Sequence, residues 1–174
     1  MSLSLAFAAA LILSGQDGPM VTAPTAPTET AEALRTREAM AYAYPTPPGV
    51  PADDFGFLNY CHGLIDGHVQ LGETLGTAAD AELMRLGRLE AADFRAGLAA
   101  ARDRQSPETL AAAEAAAAER NAVWETALAR EDEADRSQVF GLFFGLPGRC
   151  EHAARRLRDN ITTPPATPED VGLE

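Results

Sequence analysis

Two cysteines, three histidines and one histidine–carboxylate pair are the residues of this chain whose types and spacing bear on chemistry. Cys61 and Cys150 stand 89 positions apart, Cys61 is followed directly by His62, and His152 lies two places after Cys150. Two cysteines and two histidines are a ligand set that zinc accepts. Helical geometry opposes it here. A neighbour at i+1 lies about 100° round the helix and one at i+2 about 160°, so neither His62 nor His152 joins its own cysteine at one ion. Cys61 and His68 share a face about two turns apart. His68 stands alone among apolar residues, which is the setting of a buried histidine satisfied by a backbone carbonyl. The chain contains no CxxC, CxxCH or HExxH, so redox dithiol, haem attachment and metalloprotease chemistry find no signature. No metal ligand and no cofactor site is assigned.

His62 and Asp66, at i and i+4, have the spacing of a general base and its orienting carboxylate. No serine or cysteine nucleophile accompanies them, and such pairs are common on exposed helical faces, so no catalytic residue is assigned and an enzyme is not expected. All 14 basic residues are arginine. The absence of lysine excludes Schiff-base and P-loop lysine mechanisms.

These residues sit on helices. Thr28 or Thr30 opens a first helix to about Tyr42, with Ala33, Leu34, Met40 and Ala41 as its apolar side. The proline-rich YPTPPGVP (44–51) must be extended and is expected to pack under Tyr42 or Tyr44. Asp53 or Asp54 caps a second helix over 53–75. At 100° per residue Phe57, Leu58, Cys61, Leu64, Ile65, His68 and Leu75 fall on one arc. A second arc carries Gly56, Tyr60, Gly63 and Gly67. Glycine in a helix interior costs about 0.5–1 kcal/mol relative to alanine, so this arc implies close approach of a neighbouring backbone. Asn59, Tyr60, Gly63, Gly67 and His68 are the candidate ligand-binding residues, should that side border a small pocket. Asn59, His62, Asp66, Gln70 and Glu73 form a solvated strip.

A third helix over 78–104 turns Leu83, Leu86, Gly87, Ala91, Phe94, Leu98 and Ala101 to one side. Ser106-Pro107-Glu108 starts a long fourth helix to about Ser137, with N-cap serine, proline in the first turn and an early acid. Its stripe is Leu110, Ala113, Ala117, Asn121, Trp124 and Leu128. VFGLFFGL (139–146) is a core plug or bend. A last helix over 148–160 places Cys150, Ala153, Ala154, Leu157 and Ile161 on one face. No strand-like alternation of useful length occurs. The expected fold is all-α, an antiparallel bundle of four or five helices closed by a Cys61–Cys150 disulfide, because both cysteines lie on the buried sides of their helices.

Residues 3–13 (LSLAFAAALIL) are an uncharged apolar run of signal-peptide length, followed by small residues, although the start carries no lysine or arginine. The reading is a signal peptide over 1–15, a flexible linker over 16–28, a helical domain over 29–161 and a disordered acidic tail over 162–174. The run is too short to span a bilayer, which takes about 20 residues, so no stable membrane span is expected in the mature chain. The net charge of −12 disfavours nucleic acid and anionic membranes as partners.

The block REAMAYAYPTPPGVPADDFGFLNYCHGLIDGH (37–68), together with GRCEHAARRL (148–157), resembles small exported helical proteins of alphaproteobacterial type. The resemblance implies an exported helical domain with one cysteine in each patch and brings no activity with it. The functional expectation is a periplasmic or secreted, non-enzymatic helical protein that acts by contact with a protein or envelope partner. The alternative is a small-molecule carrier, with a pocket between the glycine side of the second helix and VFGLFFGL.

Overall fold

The computed structural model describes residues 29–141, 143 and 146–173, with Val123 described by its backbone alone. The expected signal peptide and linker lie outside these residues, as do Leu142, Phe144 and Gly145 of the apolar plug. Met1–Thr30 and Ala31–Glu174 are two units, and every helix below belongs to the second.

Among the described residues six α-helices follow one another: α1 (Ala31–Ala43), α2 (Asp54–Leu75), α3 (Ala81–Ala101), α4 (Pro107–Leu128), α5 (Glu133–Gly141) and α6 (Arg149–Arg158). No described residue is in a strand. Local chemistry sets the starts. Asp53 accepts from the Gly56 N–H at 2.8 Å, Asp80 from Glu82 and Leu83, both at 2.9 Å, and Ser106 from Thr109 at 3.1 Å. Each satisfies donors that a helix start leaves without an intrahelical partner.

The long fourth helix read from the sequence is two helices. α4 stops at Leu128 and α5 begins at Glu133. Asp132 accepts from the Asp135 N–H at 3.0 Å, and Arg136 donates to the Arg130 carbonyl at 3.0 Å. A cap inside the charged run therefore ends what helix propensity alone would continue, and the described residues form an all-α bundle of six helices.

α2 is the central element and packs against α3, α4, α5 and α6. Its apolar arc is buried with Phe94 of α3 and Cys150, Ala153 and Ala154 of α6. Lower down, Leu71 and Leu75 meet Met84, Trp124, Ala127 and Phe140. The glycine arc is where α4 comes close: a Cβ on Gly63 would lie 3.3 Å from the Ala117 carbonyl oxygen, and one on Gly67 only 2.1 Å from Trp124 Cδ1. Cys61 and Cys150 are joined by a disulfide with their Cα atoms 5.8 Å apart, inside the usual bridging range of about 4.4–6.8 Å.

α1 docks through charge where the sequence suggested apolar contact. Met40 is exposed, while Glu38 and Ala39 are buried. Arg156 of α6 donates to Asp54 at 2.9 Å and to Glu38 at 3.1 Å, and to the Thr163 carbonyl. The Arg149 guanidinium lies 4.5 Å from the Tyr42 ring centroid and 4.4 Å from that of Phe57. It also donates to Thr46 at 3.2 Å and to the Ala52 carbonyl, which holds the proline-rich loop against α6. Tyr42 donates to Asp54 at 2.6 Å, whereas Tyr44 is exposed. Buried charges persist because each is paired.

In the C-terminal tail, read from the sequence as disordered, Glu169–Val171 form a 3-10 turn near α1. Asp170 accepts from the Thr167 N–H at 2.9 Å and hydroxyl at 3.0 Å. Among the described residues no helix is long and apolar enough to cross a membrane.

Candidate functional site: a groove along α3

The third helix does not bury the whole side that its periodicity marks out. Met84, Gly87, Ala91, Phe94, Gly97 and Ala101 face the core, but Leu83 is 38% exposed, Leu86 43% and Leu89 57%. α2 and α6 cover only one edge of the apolar stripe. The uncovered edge borders hollows whose other described lining includes Gly141, Phe143, Leu146, Pro147 and Glu151.

Two hollows make up this groove. One, of about 390 Å³, is lined by Ile65 and His68 of α2, Leu83, Leu86, Gly87 and Glu90 of α3, and Gly141 and Phe143. The other, of about 370 Å³, runs from Leu89, Asp93 and Phe94 to Leu146, Pro147 and Glu151. Glu90 lines both. Burial, and then the charge of Glu151, raise the Glu90 carboxyl above its ordinary range. Asp93 is bonded to Arg158 and Glu151 to Arg37.

His68 closes the floor of the first hollow. Its ring is stacked between Phe140, with centroids 4.3 Å apart, and Phe143, at 4.4 Å. Nε2 lies 3.2 Å from the Phe140 carbonyl oxygen. A carbonyl only accepts, so Nε2 carries the proton and Nδ1 the lone pair. Nδ1 has no hydrogen-bond partner among the described residues. Burial holds the His68 pKa below 6.5 against the opposing pull of the Phe140 bond, so the ring is neutral near pH 7. Gly87 lets α3 lie across this ring, since a Cβ there would already be 3.7 Å from Nδ1 and 3.2 Å from Val69.

The other sequence candidates are taken up by packing. Asn59 donates to the Phe55 carbonyl of its own helix at 2.9 Å. The Arg120 guanidinium sits 4.7 Å from the centroid of the Tyr60 ring. Gly63 and Gly67 are the seats of α4 described above. Of the five candidate residues, His68 is brought to the groove beside the apolar plug, and the glycine side of α2 belongs to the α2–α4 contact. Leu83, Leu86 and Glu90 are the groove residues that sequence reasoning missed. The two leucines belong to the apolar side that the sequence marks on α3, and the signal that this side carries more apolar surface than its neighbours cover is not local.

Among the described residues that line it, the first hollow holds a neutral imidazole and the Glu90 carboxylate, and no hydroxyl or thiol. Asp66 accepts from Gln70 at 3.3 Å, and its charge acts on the His62 ring, whose pKa burial nevertheless holds below 6.5. Both cysteine sulfurs are bonded to each other, and no group of three metal-ligating side chains occurs among the described residues. His152 is buried on α6, close to the hollow lined by Met40, Ala41 and Tyr44. Comparison with family models, curated proteins and solved structures found no match to the chain.

Proposed function

We propose that the protein is an exported, non-enzymatic helical module that acts by contact with a protein or envelope partner, in keeping with its resemblance to small exported helical proteins of alphaproteobacterial type. The observation that carries this reading is the exposed apolar edge of α3. Three leucines at i, i+3 and i+6 stand open beside a groove, and contiguous exposed apolar surface marks interaction sites in soluble proteins. The signal-like run over 3–13 and the disulfide support a periplasmic or secreted location, since disulfides persist in oxidising compartments.

Intact mass of the protein from its native cell, with and without reduction, tests export. The expected result is a chain lacking the leader whose two thiols react with alkylating agent only after reduction; a full-length mass with two reactive thiols overturns it. Photo-cross-linking in the native cell, scanned over the exposed helix faces, tests contact. An adduct with a partner is expected, and no adduct from any face overturns this function.

A second reading, a small-molecule carrier, draws support from the unpartnered, buried Nδ1 of His68 at the groove floor. The ligand would be a neutral, largely apolar molecule with one hydroxyl or N–H donor. Native mass spectrometry of protein from its source reads this directly: a co-purified small molecule supports it and a clean apo mass removes it. Gly63→Leu is no test of a pocket, because its side chain would enter the α2–α4 contact.

A further inference from the structure

We propose that α1 and the C-terminal tail form one latch, keyed by Glu38, which opens as a unit while α2 to α6 stay folded and so uncovers the arginines of α6. The inference goes beyond the contact function above and does not depend on it.

α1 is thinly anchored. Of its 13 residues it buries Glu38 and Ala39, so the hydrophobic effect, which scales with apolar area removed from water, does little to hold it. Isolated helices shorter than about 12–15 residues are marginal in water, so its neighbours must keep it in place. Those seams contain open space. A hollow of about 480 Å³ is lined by Ala31, Arg35 and Thr36 of α1 with Asp170 and Val171 of the tail. Another, of about 380 Å³, lies between Arg35 and Glu38, Arg155 and Arg156 of α6, and the tail from Thr163 to Ala166. A third, of about 320 Å³, is lined by Met40 and Tyr44 on one side and Gly148 and His152 on the other. Few buried apolar contacts are the mark of a segment that opens below the cost of global unfolding.

The key is polar. Glu38 accepts from Arg156 at 3.1 Å and pairs with Arg155 at 3.1 Å. Arg156 also donates to Asp54 of α2 and to the Thr163 carbonyl of the tail, so one guanidinium joins three segments. When α1 leaves, Arg156 keeps Asp54 as its counter-charge, and α6 is spared an unpaired buried cation. The tail rests on α1 through the turn at Glu169–Val171 and loses that support with it. Opening stops at α6. The Cys61–Cys150 disulfide ties α6 to α2, and Ala153 and Ala154 are fully buried in the core cluster with Leu58 and Phe94. The open form therefore shows a cationic face, with Arg155 and Arg156 at its centre, on a chain of net charge −12.

Hydrogen exchange read by mass spectrometry on the disulfide-intact chain tests this. Amides of α1 should exchange at least about tenfold faster than those of α2 and α6. Glu38→Ala should speed exchange in both α1 and the segment 168–173 by at least about tenfold, with α2 and α3 unchanged. Asp170→Ala removes the acceptor of the tail's own turn and leaves Glu38 in place. It should speed α1 by at least about threefold and raise phenylglyoxal labelling of Arg155 and Arg156 in step. Protection of α1 equal to that of α2 overturns the latch. So does a Glu38→Ala variant in which α2 loosens by the same factor as α1, because the opening is then global. If Asp170→Ala speeds the tail alone, or labelling of the two arginines does not rise, the two segments are not one unit and the proposal falls.

Discussion

At Gly67 one methyl group decides whether α2 and α4 can meet. An added Cβ would sit 2.1 Å from Trp124 Cδ1, inside any real contact distance, and Trp124 is itself buried with Leu71, Leu75, Met84, Ala127 and Phe140. Gly67→Ala should therefore cost about 1–3 kcal/mol as the indole is forced out of place. A denaturant midpoint that drops by that amount, with a fall in the fluorescence blue shift of the only tryptophan, is the expected outcome; an unchanged midpoint would refute the packing. The histidines give a second residue-scale prediction. His62, His68 and His152 all have pKa values held below the ordinary 6.5, each chiefly by burial. The unfolded chain therefore takes up protons before the folded one, so the histidines' full contribution is present above about pH 6.5 and is lost as pH falls through the folded values. Glu90 acts oppositely, because its raised pKa favours protonation in the fold, but in the acid range near and above 4.5. The melting temperature should fall between about pH 7 and pH 5.5, and less steeply in His68→Phe. A flat profile across that interval would show that these rings do not titrate differently in the fold.

Elements were legible in the sequence wherever an end carried its own chemistry. Asp53 and Ser106 cap α2 and α4, and the arc through Phe57, Cys61, Ile65 and His68 is the buried arc of α2. The α4–α5 break was not legible. Alanine, glutamate and arginine all favour helix, so nothing in the run's propensity stops it, and the cap at Asp132 works only because the chain turns there. Asp132→Ala should cost about 1 kcal/mol, read as a lowered melting temperature with little change in helical circular dichroism; no change would mean the turn is fixed from elsewhere. α1 and α6 were misjudged in part for a different reason. Periodicity counts apolar residues, and their shared face is built from Glu38, Arg149 and Arg156, buried as a paired set with Asp54. The α3 groove was hidden by the same logic in reverse: Leu83 and Leu86 match a buried stripe, but only the partner helices decide how much of a stripe is covered.

At the scale of the whole molecule the disulfide is the one long-range contact that the sequence made readable, since two cysteines on two buried helical arcs have one partner each. It ties α2, which contacts most of the bundle, to α6, which anchors α1 and the proline-rich loop through its arginines. Both residues are essentially inaccessible, Cys61 at 0% and Cys150 at 1% exposure. Two consequences follow for reduction. Thermodynamically, opening a closed loop of 89 positions restores unfolded-state entropy equivalent to roughly 4–5 kcal/mol, a large share of the 5–15 kcal/mol that holds a typical domain together. Kinetically, an exchanging thiol must reach a sulfur that solvent does not, so reduction waits on an opening of the α2–α6 contact. Mild reductant in native buffer should therefore leave the bond intact for much longer than in denaturant. The Cys61→Ala/Cys150→Ala double variant, which removes the bond without leaving free thiols, should lose about 4 kcal/mol in chemical denaturation while keeping its helical spectrum under native conditions. Rapid native-state reduction, or a double variant as stable as the parent, would show that the bundle is held by packing alone and that the bond is incidental to it.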